Sequence, residues 1–275
     1  MSHPSRRVDR FDIVAFDADD TLWRSEDSFA HAEHRFSELV APHAPRGVDV
    51  DAALRATERA DLSLTGYGVK AFTLSMVRAA ITVTDGGIPS AVIGQLVDLG
   101  RSMLTEPVHL LPHVPEVLAT VAGAVRIVLI TKGDLVHQTR KVTTSGIDHH
   151  FSDIEIVLEK DPAAYSKIVE RLDVAPDRFC MIGNSVRSDV LPVLAIGGHA
   201  VHVPYHVTWE HERVDHHDEE VIELASIADV PMWLGITALE GGAPVGQAGR
   251  RPSTPSEAAK FHPVDPVVGG LVDHQ

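Results

Sequence analysis

From Pro112 to Val203 the chain alternates short apolar runs with amphipathic stretches, and this alternation limits the fold more than any other feature. The β-prone runs are Val125–Ile130, Ile154–Leu158, Arg178–Ile182 and His199–Val203. Between and before them, helical spacing predicts helices over Val114–Val121, Leu135–Thr144, Pro162–Leu172 and Ser188–Ala195. Strands separated by helices can pair only in parallel, because each crossover must travel back along the sheet. A parallel sheet is covered by helices on both faces, and its ligands bind at the carboxyl ends of the strands. The residues that follow each strand therefore carry the functional information.

One more strand precedes this region. Phe11–Phe16 is short and apolar and runs directly into Asp17-Ala-Asp19-Asp20-Thr21-Leu22. The segment after it reads differently, with helical spacing over Phe29–Val40, Val50–Leu62, Val69–Ile81 and Pro89–Met103. Breaks at Ala41-Pro-His-Ala-Pro, Thr65-Gly-Tyr-Gly and Asp85-Gly-Gly-Ile-Pro separate these helices. The expected organisation is a core of residues 10–24 and 107–235 with an all-helical insert at 25–106. Residues 240–275 are rich in Gly, Pro and Ser without periodicity and are expected to be disordered.

Charge narrows the function classes. With 39 acidic against 24 basic residues the formal charge is −15, and no clustered basic face is available for nucleic acid or an anionic membrane. No apolar run approaches the length of a membrane span, and the N-terminus lacks the apolar core of a signal peptide, so the cytoplasm is the expected location. The single cysteine, Cys180, lies in a predicted strand and reads as a buried core residue. The histidine-rich stretch His206–His217 suggests zinc, but its spacing misses the H-E-x-x-H pattern and no cysteine assists.

Several carboxylates at the end of a buried strand repel one another unless a cation sits among them, and a hard divalent ion with oxygen ligands is its natural occupant. Phe16-Asp17-Ala-Asp19-Asp-Thr21-Leu22 resembles the D-x-D-x-[TV]-L motif of the haloacid dehalogenase-like hydrolases, placed after a strand as in that family. Thr131, in Ile127-Val-Leu-Ile-Thr131-Lys132-Gly133, is similar to the family's second motif. Glu159-Lys160-Asp-Pro162 resembles the third, with Lys167 a weaker candidate, and Gly183-Asn184-Ser185-Val-Arg-Ser-Asp189 resembles the fourth. The resemblance covers roughly residues 10–235. It implies a Rossmann-like α/β core with helices on both faces and an inserted all-helical cap.

It also implies roles. Asp17 would attack phosphorus, and Asp19 would protonate the leaving oxygen and then activate water. Thr131 and Lys132 would contact the phosphoryl group, and Lys160 would bridge it to the nucleophile. Mg2+ would be held by Asp17, Asp19 and the fourth motif, where Asn184 replaces the commoner aspartate and Asp189 is the favoured direct ligand. In the cap, Gly66-Tyr67-Gly68-Val69-Lys70 offers Tyr67 and Lys70 as substrate contacts, since paired glycines permit close approach. His206 and Trp209 would reach the rim. The expected activity is a magnesium-dependent phosphatase acting on a small-molecule phosphate monoester. A phosphomutase, a haloacid dehalogenase and a silent binding protein are the alternatives. Neither the particular ester nor the oligomeric state is legible.

Overall fold

A computed structural model describes residues 6–207, 221–236 and 260–263. All sheet pairings are parallel, and the seven strands lie in the order β6-β5-β4-β1-β2-β3-β7. They are β1 (Ile13–Phe16), β2 (Arg126–Lys132), β3 (Asp153–Val157), β4 (Phe179–Gly183), β5 (His199–His202), β6 (Ile222–Glu223) and β7 (Lys260–Pro263). Beginning at β1, the chain adds β2 and β3 on one side, then crosses to add β4 and β5 on the other. The resulting switch point beside β1 is where open α/β sheets leave a crevice.

Alternate residues of the central strands face opposite layers. Val14, Phe16, Leu129, Ile154 and Ile182 enter one apolar core, while Ile13, Ala15, Val128, Ile130 and Met181 enter the other. Helices α5 (Val114–Ala122), α6 (Leu135–Thr144), α7 (Pro162–Arg171), α8 (Leu191–Ala195) and α9 (Val230–Trp233) accompany these strands. Cys180 is fully buried in β4, and burial pushes its thiol pKa up, in keeping with a core role.

The insert consists of α1 (Glu26–Val40), α2 (Val50–Thr65), α3 (Val69–Val83) and α4 (Ser90–Thr105). Its own core, built from Ala32, Phe36, Leu54, Phe72, Met76 and Leu96, makes it a separate packing unit. Helices α3 and α4 approach closely at Gly100, where a Cβ would lie 2.0 Å from Thr73 Oγ1. At the base of the insert, two backbone hydrogen bonds clamp the core segments that lead into and out of it, Arg24 N–H to His109 O at 3.0 Å and Leu111 N–H to Leu22 O at 2.9 Å.

Three local differences from the sequence reading have physical reasons. The helix expected at Ser188–Ala195 opens instead with a π-type turn, Val186–Val190, whose extra width swings Asp189 back toward β4. β6 is too short and exposed to show a pattern. Within the stretch expected to be disordered, Lys260–Pro263 pairs with β3 at the edge of the sheet, and the remainder of 240–275 lies outside the described residues. No helix among the described residues is long and apolar enough to cross a membrane.

Candidate active site

β1 delivers Asp17 to the switch point, its N–H bonded to Ile182 O at 2.9 Å so that the backbone remains in sheet register. The next residues turn sharply. Asp20 adopts φ 61°, and its carboxylate accepts from the N–H groups of Ser25 (2.8 Å) and Glu26 (3.1 Å), capping the start of α1. The turn leaves Asp17 6% exposed beneath the insert.

Lys160, just beyond β3 and 4% exposed, donates from Nζ to Asp17 Oδ1 and, at 2.7 Å, to Asp189 Oδ1. Burial opposes its charge, yet the two carboxylates outweigh that and hold its pKa well above the ordinary lysine value. For Asp17 burial wins, and its pKa is raised to about 7 despite Lys160, with Asp189 adding to the rise. Thr21 Oγ1 donates to Asp17 Oδ2 at 3.1 Å. One ammonium between two buried carboxylates leaves this centre with a net negative charge.

Asp189 reaches Lys160 through close packing on Gly183. A Cβ there would lie 2.2 Å from Asp189 Oδ2, which itself accepts from Ser185 N–H at 3.0 Å. Gly183→Ala should therefore displace Asp189 and lower kcat by about a hundred-fold, the scale expected for misplacement of a reacting constellation by an ångström. Steady-state kinetics with circular dichroism as a fold control would check this; wild-type kcat would contradict it.

Asn184 occupies the position that sequence reasoning gave second place. Its amide nitrogen lies 3.2 Å from Asp17 Oδ2 and 3.3 Å from the Asp19 carbonyl oxygen. Both neighbours are acceptors, so the nitrogen turns toward them, and a cation seated between them would bring the amide oxygen round instead. Asp189 does not share this focus, being taken up by Lys160 and Ser185. Among the described residues no three His, Cys, Asp or Glu side chains form a metal cluster. The donor set available here, a carboxylate, a backbone carbonyl and an amide, suits a hard ion that completes its shell with water.

The side chain of Asp19 is gripped by residues that the sequence reading missed. Trp23 Nε1 donates to Oδ1 at 2.6 Å, Lys141 Nζ pairs with the same oxygen, and Gln138 Nε2 donates to Oδ2 at 2.8 Å. Burial works to raise its pKa, but Lys141 with the Gln138 and Trp23 hydrogen bonds prevails and holds the carboxyl below its ordinary range. Gln138 also donates to Thr131 Oγ1 at 3.1 Å, tying the second motif to the first. Gln138 and Lys141 are three apart on α6, one face of the helix that starts directly after Thr131, and that spacing was a usable signal. His202, ending β5, touches the Asn184 carbonyl at 3.0 Å and Glu223 at 3.0 Å.

The insert closes over this centre. Tyr67 lines the cavity, donates to Glu159 Oε2 at 2.5 Å and lays its ring 4.3 Å from Lys132 Nζ; Lys132 also donates to Ser188 Oγ at 3.0 Å. Lys70 does not line the cavity; it is turned to Asp134 Oδ2 at 3.0 Å, so it bridges insert and core. His206 bonds Asp27 at 2.9 Å, and Trp209 lies outside the described residues, as does most of the histidine-rich stretch.

Acidic groups line the insert side as well. Burial raises Glu26 to about 8, Glu58 to about 7 and the turn residue Asp20 to about 7, with neighbouring carboxylates adding to each. A carboxyl whose pKa is higher folded than unfolded stabilises the fold while protonated and loses that contribution as pH rises through the folded value. His137, held down to about 4 chiefly by burial, acts in the opposite direction, but only below the ordinary histidine pKa. The melting temperature of the metal-free protein should therefore fall between pH 6.5 and 8. Scanning calorimetry would detect a rise or a plateau, either of which contradicts this assignment.

A parallel sheet with carboxylates at its switch point and a helical cap above them has the architecture of a capped α/β hydrolase. A family model for haloacid dehalogenase-like hydrolases matches residues 11–197, and the chain belongs to that family. It is similar to a haloacid dehalogenase-like family hydrolase from Xanthomonas campestris, with 40% identity and a TM-score of 0.73 over 82% of this chain and 90% of that one. Two remoter structures share the fold. The HAD hydrolase YfnB from Bacillus subtilis, bound to magnesium, has 14% identity and a TM-score of 0.59 over 82% of this chain and all of that one (100%). The L-2-haloacid dehalogenase from Xanthobacter autotrophicus, with chloropropionic acid covalently bound, has 16% identity and a TM-score of 0.57 over 83% and 100%. No curated protein matches the chain.

Proposed function

We propose that the protein is a magnesium-dependent phosphatase that hydrolyses a small-molecule phosphate monoester through an aspartyl-phosphate on Asp17. The observation that carries this reading is the focus formed by Asp17 Oδ2, the Asp19 carbonyl and the Asn184 amide beside a buried lysine. A phosphate monoester brings nearly two negative charges to a centre that is already net negative. Lys160 alone cannot balance them, and a divalent cation at the focus can. A magnesium ion held by Asp17, the Asp19 carbonyl and Asn184 would supply charge neutralisation for phosphoryl transfer. The magnesium bound by the Bacillus subtilis relative supports the choice of ion.

The chain's own groups then divide the work. Asp17 attacks phosphorus with the oxygen not given to the cation, and Lys160 stabilises the charge that develops there. Thr131, steadied by Gln138, and Lys132 hold phosphoryl oxygens. Asp19 must carry a proton to protonate the leaving oxygen, and the Trp23–Gln138–Lys141 cradle, which favours its charged form, makes it give that proton up readily; the ionised Asp19 then takes one from the attacking water. Asp189 orients Lys160.

The dehalogenase alternative uses the same nucleophile on a substrate that carries a carboxylate. The insert side of the cavity presents Glu26, Glu33 and Glu58 and, among the described residues lining it, no cation, a poor wall for a carboxylate. The test is hydrolysis of an aryl phosphate with magnesium and with chelator, beside chloride release from a 2-haloacid. Magnesium-dependent phosphate release without dehalogenation is expected; metal-independent chloride release would overturn the reading.

A further inference from the structure

The insert half of the cavity has a chemistry of its own. On α1, Glu26, Phe29 and Glu33 follow i, i+3, i+7 spacing and share one face, and on α2 Glu58 and Leu62 stand one turn apart. All five line the same cavity as Asp17, together with Phe72 from α3. Glu26, Glu33 and Glu58 are near enough to repel one another, and the side-chain carboxyls of Glu26 and Glu58 have no hydrogen-bond or ion-pair partner among the described residues. Arg55 and Arg59, on either side of Glu58 in α2, pull its pKa down by their charge without overcoming burial, and they do not line the cavity. The cavity's lysines, Lys132, Lys141 and Lys160, all come from the core and are engaged there.

Two further observations point to the ligand. Phe29 and Phe72 meet edge to face, with ring centroids 5.3 Å apart, and so bring aromatic surface to the same wall as the carboxylates. Gln138, 3% exposed, lines the core side of the cavity with its Nε2 used three times and its Oε1 without a partner among the described residues, an acceptor left for a donor. Carboxylates, aromatic rings and a spare acceptor together suit an ammonium group, which offers positive charge, N–H donors and attraction to aromatic faces. A carboxylate-bearing alcohol meets repulsion there, and a neutral alkyl group leaves the carboxylates desolvated without compensation.

Resting on the phosphatase reading above, we propose that the cap wall formed by Glu26, Glu33, Glu58, Phe29 and Phe72 selects phosphate monoesters whose alcohol portion carries an ammonium group.

The test compares three two-carbon phosphates on the full-length protein with magnesium: 2-aminoethyl, ethyl and carboxymethyl phosphate. The aminoethyl ester should exceed the ethyl ester in kcat/KM by about 10- to 100-fold, the range expected for charge-assisted hydrogen bonds, with the carboxymethyl ester lowest. In the Glu26→Gln, Glu58→Gln double variant the ratio of aminoethyl to ethyl should collapse toward one, with the melting temperature as fold control. A measurement free of variants runs alongside: 2-aminoethanol should inhibit aryl phosphate hydrolysis by the wild type at concentrations where ethylene glycol does not. Turnover of aryl phosphate with equal use of the aminoethyl and ethyl esters, or with the carboxymethyl ester preferred, overturns this inference and leaves the phosphatase reading standing. No turnover of any phosphate overturns both.

Discussion

Asp17→Asn should lower kcat/KM for an aryl phosphate by roughly a thousand-fold or more, because the change removes the attacking oxygen rather than an auxiliary contact. Asparagine has the same shape, and Lys160 keeps its bond to Asp189 at 2.7 Å. It also relieves the centre of one negative charge, that of a group whose pKa is raised to about 7 by burial. The variant should therefore melt at or above the wild-type temperature while being inactive. Steady-state kinetics and a thermal melt on one preparation check both halves; a variant that keeps a substantial share of wild-type activity would show that the nucleophile lies elsewhere.

Lys160→Met should do the opposite to stability. Methionine fills similar volume but leaves Asp17 and Asp189 facing one another in the interior, 6% and 1% exposed, with no cation between them. Removing one partner of a buried ion pair typically costs about 3–5 kcal/mol, since the remaining charge is stranded. Lys160 has a folded pKa above its unfolded value, so its contribution is fully present at neutral pH and is lost only in strong alkali. Lys160 is one of the groups that hold the wild-type Asp17 down to about 7, so in the variant Asp17 keeps its proton to higher pH; the penalty should be smallest at and below pH 7, where Asp17 is protonated in both proteins, and grow as pH rises above it. Urea unfolding at pH 5.5 and pH 8 measures the difference. Equal stability of variant and wild type at pH 8 would contradict the ion-pair account.

Much of this arrangement was legible in the sequence because it depends on local rules. Strand–helix alternation after Pro112 defined the parallel sheet, and residues at or just beyond the carboxyl ends of four strands, Asp17, Thr131, Lys160 and Asn184, line one cavity at the switch point. The Gly and Pro breaks divided the insert into four helices at nearly the observed places. What escaped was set by tertiary geometry. Which of Asn184 and Asp189 faces the oxygen focus depends on the π-type turn at Val186–Val190 and on the missing Cβ of Gly183, neither of which has a periodic signature. Lys70 could be placed near the core by spacing, but its choice of Asp134 depends on how the insert seats on α6. Lys141 reaches Asp19 from 122 residues away, and although its spacing from Gln138 marks a shared helix face, nothing local says that this face meets Asp19. β7 joins the sheet from a stretch whose composition resembles a linker.

The central claim is that phosphorus passes through Asp17, and the most direct measurement is to catch it there. In an Asp19→Asn variant the second step lacks its base, so the intermediate should accumulate when the protein is mixed with magnesium and an aryl phosphate and quenched in acid. Mass spectrometry of the peptide containing Asp17 should reveal the added mass of one phosphoryl group on that residue, lost on mild alkaline treatment. The same peptide unmodified while phosphate is released, or modified instead by an alkyl group from a 2-haloacid, would contradict the account.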